Sequence, residues 1–185
     1  MKRLLIALAL FCSVSACTQR ESQSGVAGNS NGGAQSTPAS SPGGAQDGAE
    51  RGRAALRLGG GNVSVEYGRP ALKGRDLEKM ISPGQEWRMG ANQATKLTTD
   101  VDLRFGDKAV PKGEYVLKAR ADDPEKWVLL VQKEGGPTVA EIPLSFRKTD
   151  RSVELLTIEL AEKGNDGEFA LHWGDLMLST GFRKA

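Results

Sequence analysis

The residues best equipped for chemistry are gathered between Arg69 and Asn92. Arg69, Arg75 and Arg88 offer planar guanidinium forks that match a carboxylate or a phosphate with two parallel hydrogen bonds. Arg69 precedes Pro70, which biases its backbone toward the extended region and gives the side chain a fixed direction. Trp87 lies between Glu86 and Arg88 and offers a flat apolar face of the kind that stacks on a sugar ring or a guanidinium. Asn92 ends a Gly90-Ala91-Asn92 corner; it can donate and accept, and it tolerates left-handed backbone. These five residues together would suit a cleft for an anionic or glycan-like ligand. They also have a scaffold reading, in which Trp87 is core and the arginines stack on it, pair with Glu66 or Glu86, or satisfy loop carbonyls.

No residue is assigned a catalytic role. His172 is the only histidine, and its place between Leu171 and Trp173 on an alternating segment points it outward. No Gly-x-Ser-x-Gly elbow exists to supply a nucleophile. Asp122, Asp123 and Glu125 form an acidic turn without the glycine and ligand rhythm of a calcium loop. Gly59-Gly60-Gly61 is followed by neither Lys-Ser/Thr nor a helix, so it is not a phosphate loop. Neither a metal nor a cofactor is expected. A hydrolase using carboxylates such as Glu66 or Glu86 is the alternative to a binding module, and a purely structural envelope component is a third reading.

The elements that must position these residues are strands. Val63, Val65 and Tyr67 alternate with Ser64 and Glu66, and Val101, Leu103 and Phe105 with Asp102 and Arg104. The same period of two runs through Ile142–Phe146, Phe169–Trp173 and Leu176–Phe182, as expected of strands with one buried face. Trp127–Val131 and Leu155–Ile158 are more continuously apolar and belong centrally. Gly-rich turns separate the runs, and Asn165-Asp166-Gly167 is the clearest hairpin signal. One short helix is expected after Asp76, with Leu77, Met80 and Ile81 on one face and Pro83-Gly84 as its stop. The expected fold is all-β, an antiparallel sandwich or barrel-like domain over residues 54–185.

The amino terminus sets the expected address. Met1-Lys2-Arg3 precedes an apolar run, Leu4 to Phe11, that is too short to span a bilayer. Val14-Ser15-Ala16-Cys17 resembles the lipobox of bacterial lipoproteins, which implies a signal peptide over residues 1–16 and an acylated Cys17. Residues 17–53 carry that cysteine and a Gly/Ser/Ala-rich linker too poor in apolar residues to fold. Thr18 in place of Asp leans toward the outer membrane of the bacterial cell envelope. With Cys12 removed and Cys17 acylated, no thiol would remain for a nucleophile, a zinc site or a disulfide. Loss of Lys2 and Arg3 would take 25 basic residues to 23, equal to the 23 acidic ones. A neutral chain has no field to draw nucleic acid, so the expected partners are the membrane, through the anchor, and an envelope glycan, anionic ligand or protein.

Several uncommon words then occur in order: Tyr67-Gly68-Arg69-Pro70, Lys73-Gly74-Arg75, Trp87-Arg88-Met89-Gly90-Ala91-Asn92, Ala94-Thr95 and Pro111-Lys112-Gly113-Glu114-Tyr115. In these the chain resembles the DUF2911 family over most of residues 63–131. The resemblance implies an envelope protein of unknown function behind a lipoprotein signal. Gln93 stands where the family pattern has Glu.

Overall fold

The computed structural model describes residues 50–185. The expected signal peptide, Cys17 and the linker as far as residue 49 lie outside the described residues. The domain is all-β, as its alternation predicts. Its elements in chain order are β1 (Glu50–Leu58), β2 (Gly61–Arg69), the helix α1 (Leu77–Met80), β3 (Glu86–Trp87), β4 (Thr95–Thr99), β5 (Leu103–Phe105), β6 (Lys108–Val110), β7 (Gly113–Asp123), β8 (Lys126–Gln132), β9 (Thr138–Lys163) and β10 (Asp166–Lys184). The strands form one antiparallel sheet in the order β1-β2-β4-β7-β8-β9-β10-β5-β6, with β3 paired to β7.

This open sheet does the work expected of a sandwich because its longest strands carry it over onto itself. β9 pairs with β8 through Thr138–Leu144 and with β10 from Ser145 onward. Side chains of β2, β4, β7 and β8 then face those of β5, β9 and β10. Val65, Leu97, Leu117 and Leu129 meet Phe105, Leu160, Phe169 and Phe182 around a void of only about 10 Å³. Packing this tight is ordinary for a protein interior. On the far side a bridge between Ala71 and Leu155 ties the end of β2 to β9, and Leu156 N–H donates to Pro70 O at 3.1 Å.

Turn chemistry explains the hairpins. β1–β2 turns on Gly59-Gly60, both with positive φ, as a type I′ turn requires. β9–β10 turns on Gly164-Asn165 rather than on the expected Asn165-Asp166-Gly167. Gly164 alone has positive φ there (66°), which fits a type II′ turn, and Asp166 already pairs with Lys163.

Three boundaries differ from the sequence reading. β1 begins at Glu50, four residues ahead of Ala54: Gly52 lies against the Tyr67 ring while Arg51 and Arg53 point outward to Glu66. The helix is a single turn closed by Ile81 N–H on Leu77 O, and Met80 is exposed rather than sharing the buried face. The four carboxyl-terminal runs merge into two strands, β9 and β10. They stay paired across a large bulge in which Asp175 alone opposes residues 149–152. Gly174 makes this bend with φ of 60°.

Candidate functional site

The words between Tyr67 and Thr95 build one interlocked corner. β3 and β4 both lie along β7, with Trp87 opposite Ala119 and Thr95 opposite Leu117, so residues 88–94 loop out across the single position Lys118. Met89 turns inward at φ 49° and is fully buried, and Thr95 Oγ1 donates to its carbonyl at 2.9 Å. Gly68 lies so close to Ala91 that a Cβ there would run into the Ala91 carbonyl oxygen. Asn92 takes the left-handed conformation expected of it, with φ 64°. Arg88 closes the loop by donating from Nη1 to Asn92 O at 3.2 Å.

The second corner follows β2. Leu72 to Arg75 form a turn closed by Arg75 N–H on Leu72 O, with positive φ at both Lys73 and Gly74. This is the type I′ geometry for which a central glycine is suited. The Arg75 guanidinium folds back to donate to Leu72 O at 3.0 Å and Ala71 O at 2.6 Å. Arg69 donates to Leu156 O at 3.4 Å and pairs with Glu50 at 3.5 Å. All three arginines of interest therefore hold main-chain carbonyls.

Around these corners the three tryptophans of the chain meet. Trp87 stacks on Trp173 with centroids 5.7 Å apart and planes 8° from parallel, and meets Trp127 edge-on at 6.4 Å. Arg75 lies 5.9 Å from the Trp173 centroid, within cation–π range. Among the described residues the buried Trp173 Nε1 has no acceptor. Leaving such a donor unmet costs about 1–3 kcal/mol.

Beside this cluster opens a cleft of about 530 Å³ with three walls. Leu77, Ile81 and Pro83, from the helical turn and the residues after it, make one. The end of the β7–β8 hairpin, with Ala121, Pro124, Glu125 and Trp127, makes the second. The third is the paired stretch beside the bulge, Phe146, Arg147 and Lys148 of β9 with Leu176 of β10, together with Asp175 from the bulge itself. Gly84 N–H to Ala121 O at 2.7 Å fixes the first wall to the second, and Trp127 Nε1 donates to Pro124 O at 3.1 Å. A side chain at Gly174 would press on Leu77 and Leu72, so the bulge sets how near the first wall can sit.

The five residues singled out in the sequence do not converge on this cleft. Trp87 touches it only through Trp127, and Arg69, Arg75, Arg88 and Asn92 belong to the two corners behind it. Glu66 and Glu86, the carboxylates a hydrolytic mechanism would use, are exposed and ion-paired, Glu66 with Arg51 and Arg53 and Glu86 with Lys118. Neither lines the cleft. The Glu86 carboxyl is held below the usual range chiefly by the Lys118 hydrogen bond. Asp122, in the acidic turn, is lowered by Arg120, and among the described residues no group of histidine, cysteine or carboxylate side chains is placed to hold a metal ion. The cleft residues escaped the sequence reading because Leu77, Ile81, Trp127, Phe146 and Leu176 read as core.

An all-β domain with a bulge-walled apolar cleft and two glycine-dependent corners is the class that fold and site define. The chain belongs to the DUF2911 family, a protein family of unknown function, whose pattern matches residues 50–182. No curated protein and no solved structure matches the chain.

Proposed function

We propose that this is a lipid-anchored protein of the bacterial cell envelope whose β domain is a non-enzymatic binding module, with the bulge-walled cleft as its binding site. The observation that carries the binding reading is the cleft itself. At about 530 Å³ it falls within the roughly 300–1,000 Å³ of small-molecule sites. Its lining is mostly apolar, with a few charged groups at the edge, the composition such sites have. The five residues of the two corners hold the aromatic cluster against the cleft and act on binding through Trp127. The envelope address rests on the lipobox-like Val14–Cys17 and on the linker that follows it.

Tryptophan emission tests the binding site, because Trp127 lines the cleft and touches Trp87. The full chain carrying Cys17→Ser, which removes the acyl acceptor, is titrated with the uncharged apolar dye N-phenyl-1-naphthylamine. The expected result is saturable binding of one dye per chain with a change in tryptophan emission. Ala121→Phe inside the cleft and Pro83→Phe at its exposed edge should each weaken it at least tenfold, and the second change leaves the core untouched. Dye binding unaffected by both variants, in proteins that still melt cooperatively, would remove the cleft as the site.

A further inference from the structure

The charges at the cleft edge narrow what it takes. Glu125, Arg147, Lys148 and Asp175 contribute two positive and two negative groups. Neither Glu125 nor Arg147 has an ion pair among the described residues. A strand residue and a turn residue of opposite charge thus border one apolar hollow without neutralising each other. Were they close enough to pair, the hollow would be sealed by its own salt bridge. Held apart, they leave an acceptor and a planar donor for a ligand that carries both signs. A ligand with only an anionic head would meet Arg147 and Lys148 but would also face Glu125 and Asp175, and like charges oppose binding. A purely cationic head has the reverse difficulty.

Resting on the reading of the cleft as a binding site, we propose that its ligand is a single-chain zwitterionic phospholipid. The chain would lie along Leu77, Phe146, Trp127 and Leu176. The phosphate would meet the Arg147 guanidinium, a fork suited to two phosphate oxygens. The ammonium would meet Glu125. Burial of each methylene contributes about 0.8 kcal/mol, so the tail supplies affinity and the two charges supply choice among heads.

The test uses the full chain with Cys17→Ser and three amphiphiles of equal chain length, each below its micelle concentration: a lysophosphatidylethanolamine, a fatty acid and an alkylamine. Tryptophan emission and calorimetry should show one lysophospholipid bound per chain, at least tenfold tighter than either singly charged amphiphile. Arg147→Ala should weaken the lysophospholipid at least tenfold while tightening the alkylamine, which loses a like-charged neighbour, and Glu125→Gln should weaken the lysophospholipid while tightening the fatty acid for the same reason. Equal affinity for all three amphiphiles would overturn the headgroup assignment while leaving the cleft as an apolar site. Absence of any amphiphile binding, in a protein that still takes up the dye at the cleft, would overturn the lipid proposal alone. Absence of both would overturn the lipid proposal and the binding reading beneath it.

Discussion

Single residues in the two corners have roles that can be separated by what each touches. Gly68 is required by the nearness of the Ala91 main chain, so Gly68→Ala must push the corner away from β2. Overpacking of this kind typically costs about 1–3 kcal/mol, and a fall of that size in the urea-unfolding free energy is expected. An unchanged midpoint would mean that the corner is looser than its geometry. Arg75 is exposed, yet it closes its turn through two carbonyls and lies over Trp173. Arg75→Ala should cost about 1.5–2 kcal/mol, the low end of two hydrogen bonds worth about 0.5–1.5 each and a cation–π contact worth about 0.5–1, because water replaces part of what an exposed side chain gives up. Arg88→Ala loses one exposed bond to Asn92 O and should cost less than Arg75→Ala in the same denaturation series. The reverse order would show that Arg88 carries a load its single bond does not explain.

At the scale of elements, β3 is the weak link between corner and cleft, since two residues pair with β7 and one ion pair ties it down. Glu86 has a folded pKa below its ordinary 4.5, because Lys118 donates to it. The unfolded chain therefore binds a proton first as pH falls. The contribution of this pair is complete above pH 4.5 and is lost as pH drops through the depressed folded value. Both partners are partly exposed, so solvent screening keeps the effect small. Lys118→Met should lower the melting temperature slightly near neutrality, where the pair is intact, and the difference from the unaltered protein should vanish as pH falls below 4.5. Trp87 emission should follow the same acid transition in the unaltered protein, since Glu86 anchors the strand that carries it. An identical acid limb in both proteins would detach β3 from this ion pair.

The same elements show what could be read from residues alone. Period-two alternation placed Val63, Val65, Leu103, Phe105, Phe169, Leu171 and Trp173 inward, and all are buried. It is a local signal and it survives folding. Residues 149–152 separate two apolar runs in the sequence, yet they are absorbed as a bulge inside β9, because only pairing with β10 decides whether extra residues reverse the chain or bow out of it. The cleft was hidden for a related reason. Its walls come from four stretches far apart in sequence, and the residues of each are as apolar as core. The corner words were legible as unusual, but what makes them unusual is the meeting of Gly68 with Ala91 across 23 positions, which no local pattern encodes.

For the whole molecule the decisive question is what holds the domain at its address. Removal of residues 1–16 would take Lys2 and Arg3 away and leave 23 basic and 23 acidic residues, a balance with little electrostatic pull toward an anionic bilayer. Among the described residues no helix is long and apolar enough to cross a membrane. Attachment by acyl chains on Cys17 would then carry the association. Two such chains, at about 0.8 kcal/mol per buried methylene, resist washing where a charge contact does not. Expressed in a Gram-negative host, the unaltered protein should stay in the membrane pellet through high salt and carbonate and leave only with detergent. Its mass should exceed that of the chain from residue 17 onward by the acyl groups. Cys17→Ser should move it to the soluble fraction with the domain still melting cooperatively. Release of the unaltered protein by salt alone, with residues 1–16 still attached, would put charge in place of lipid as the tether and would take away the membrane-side setting of the cleft.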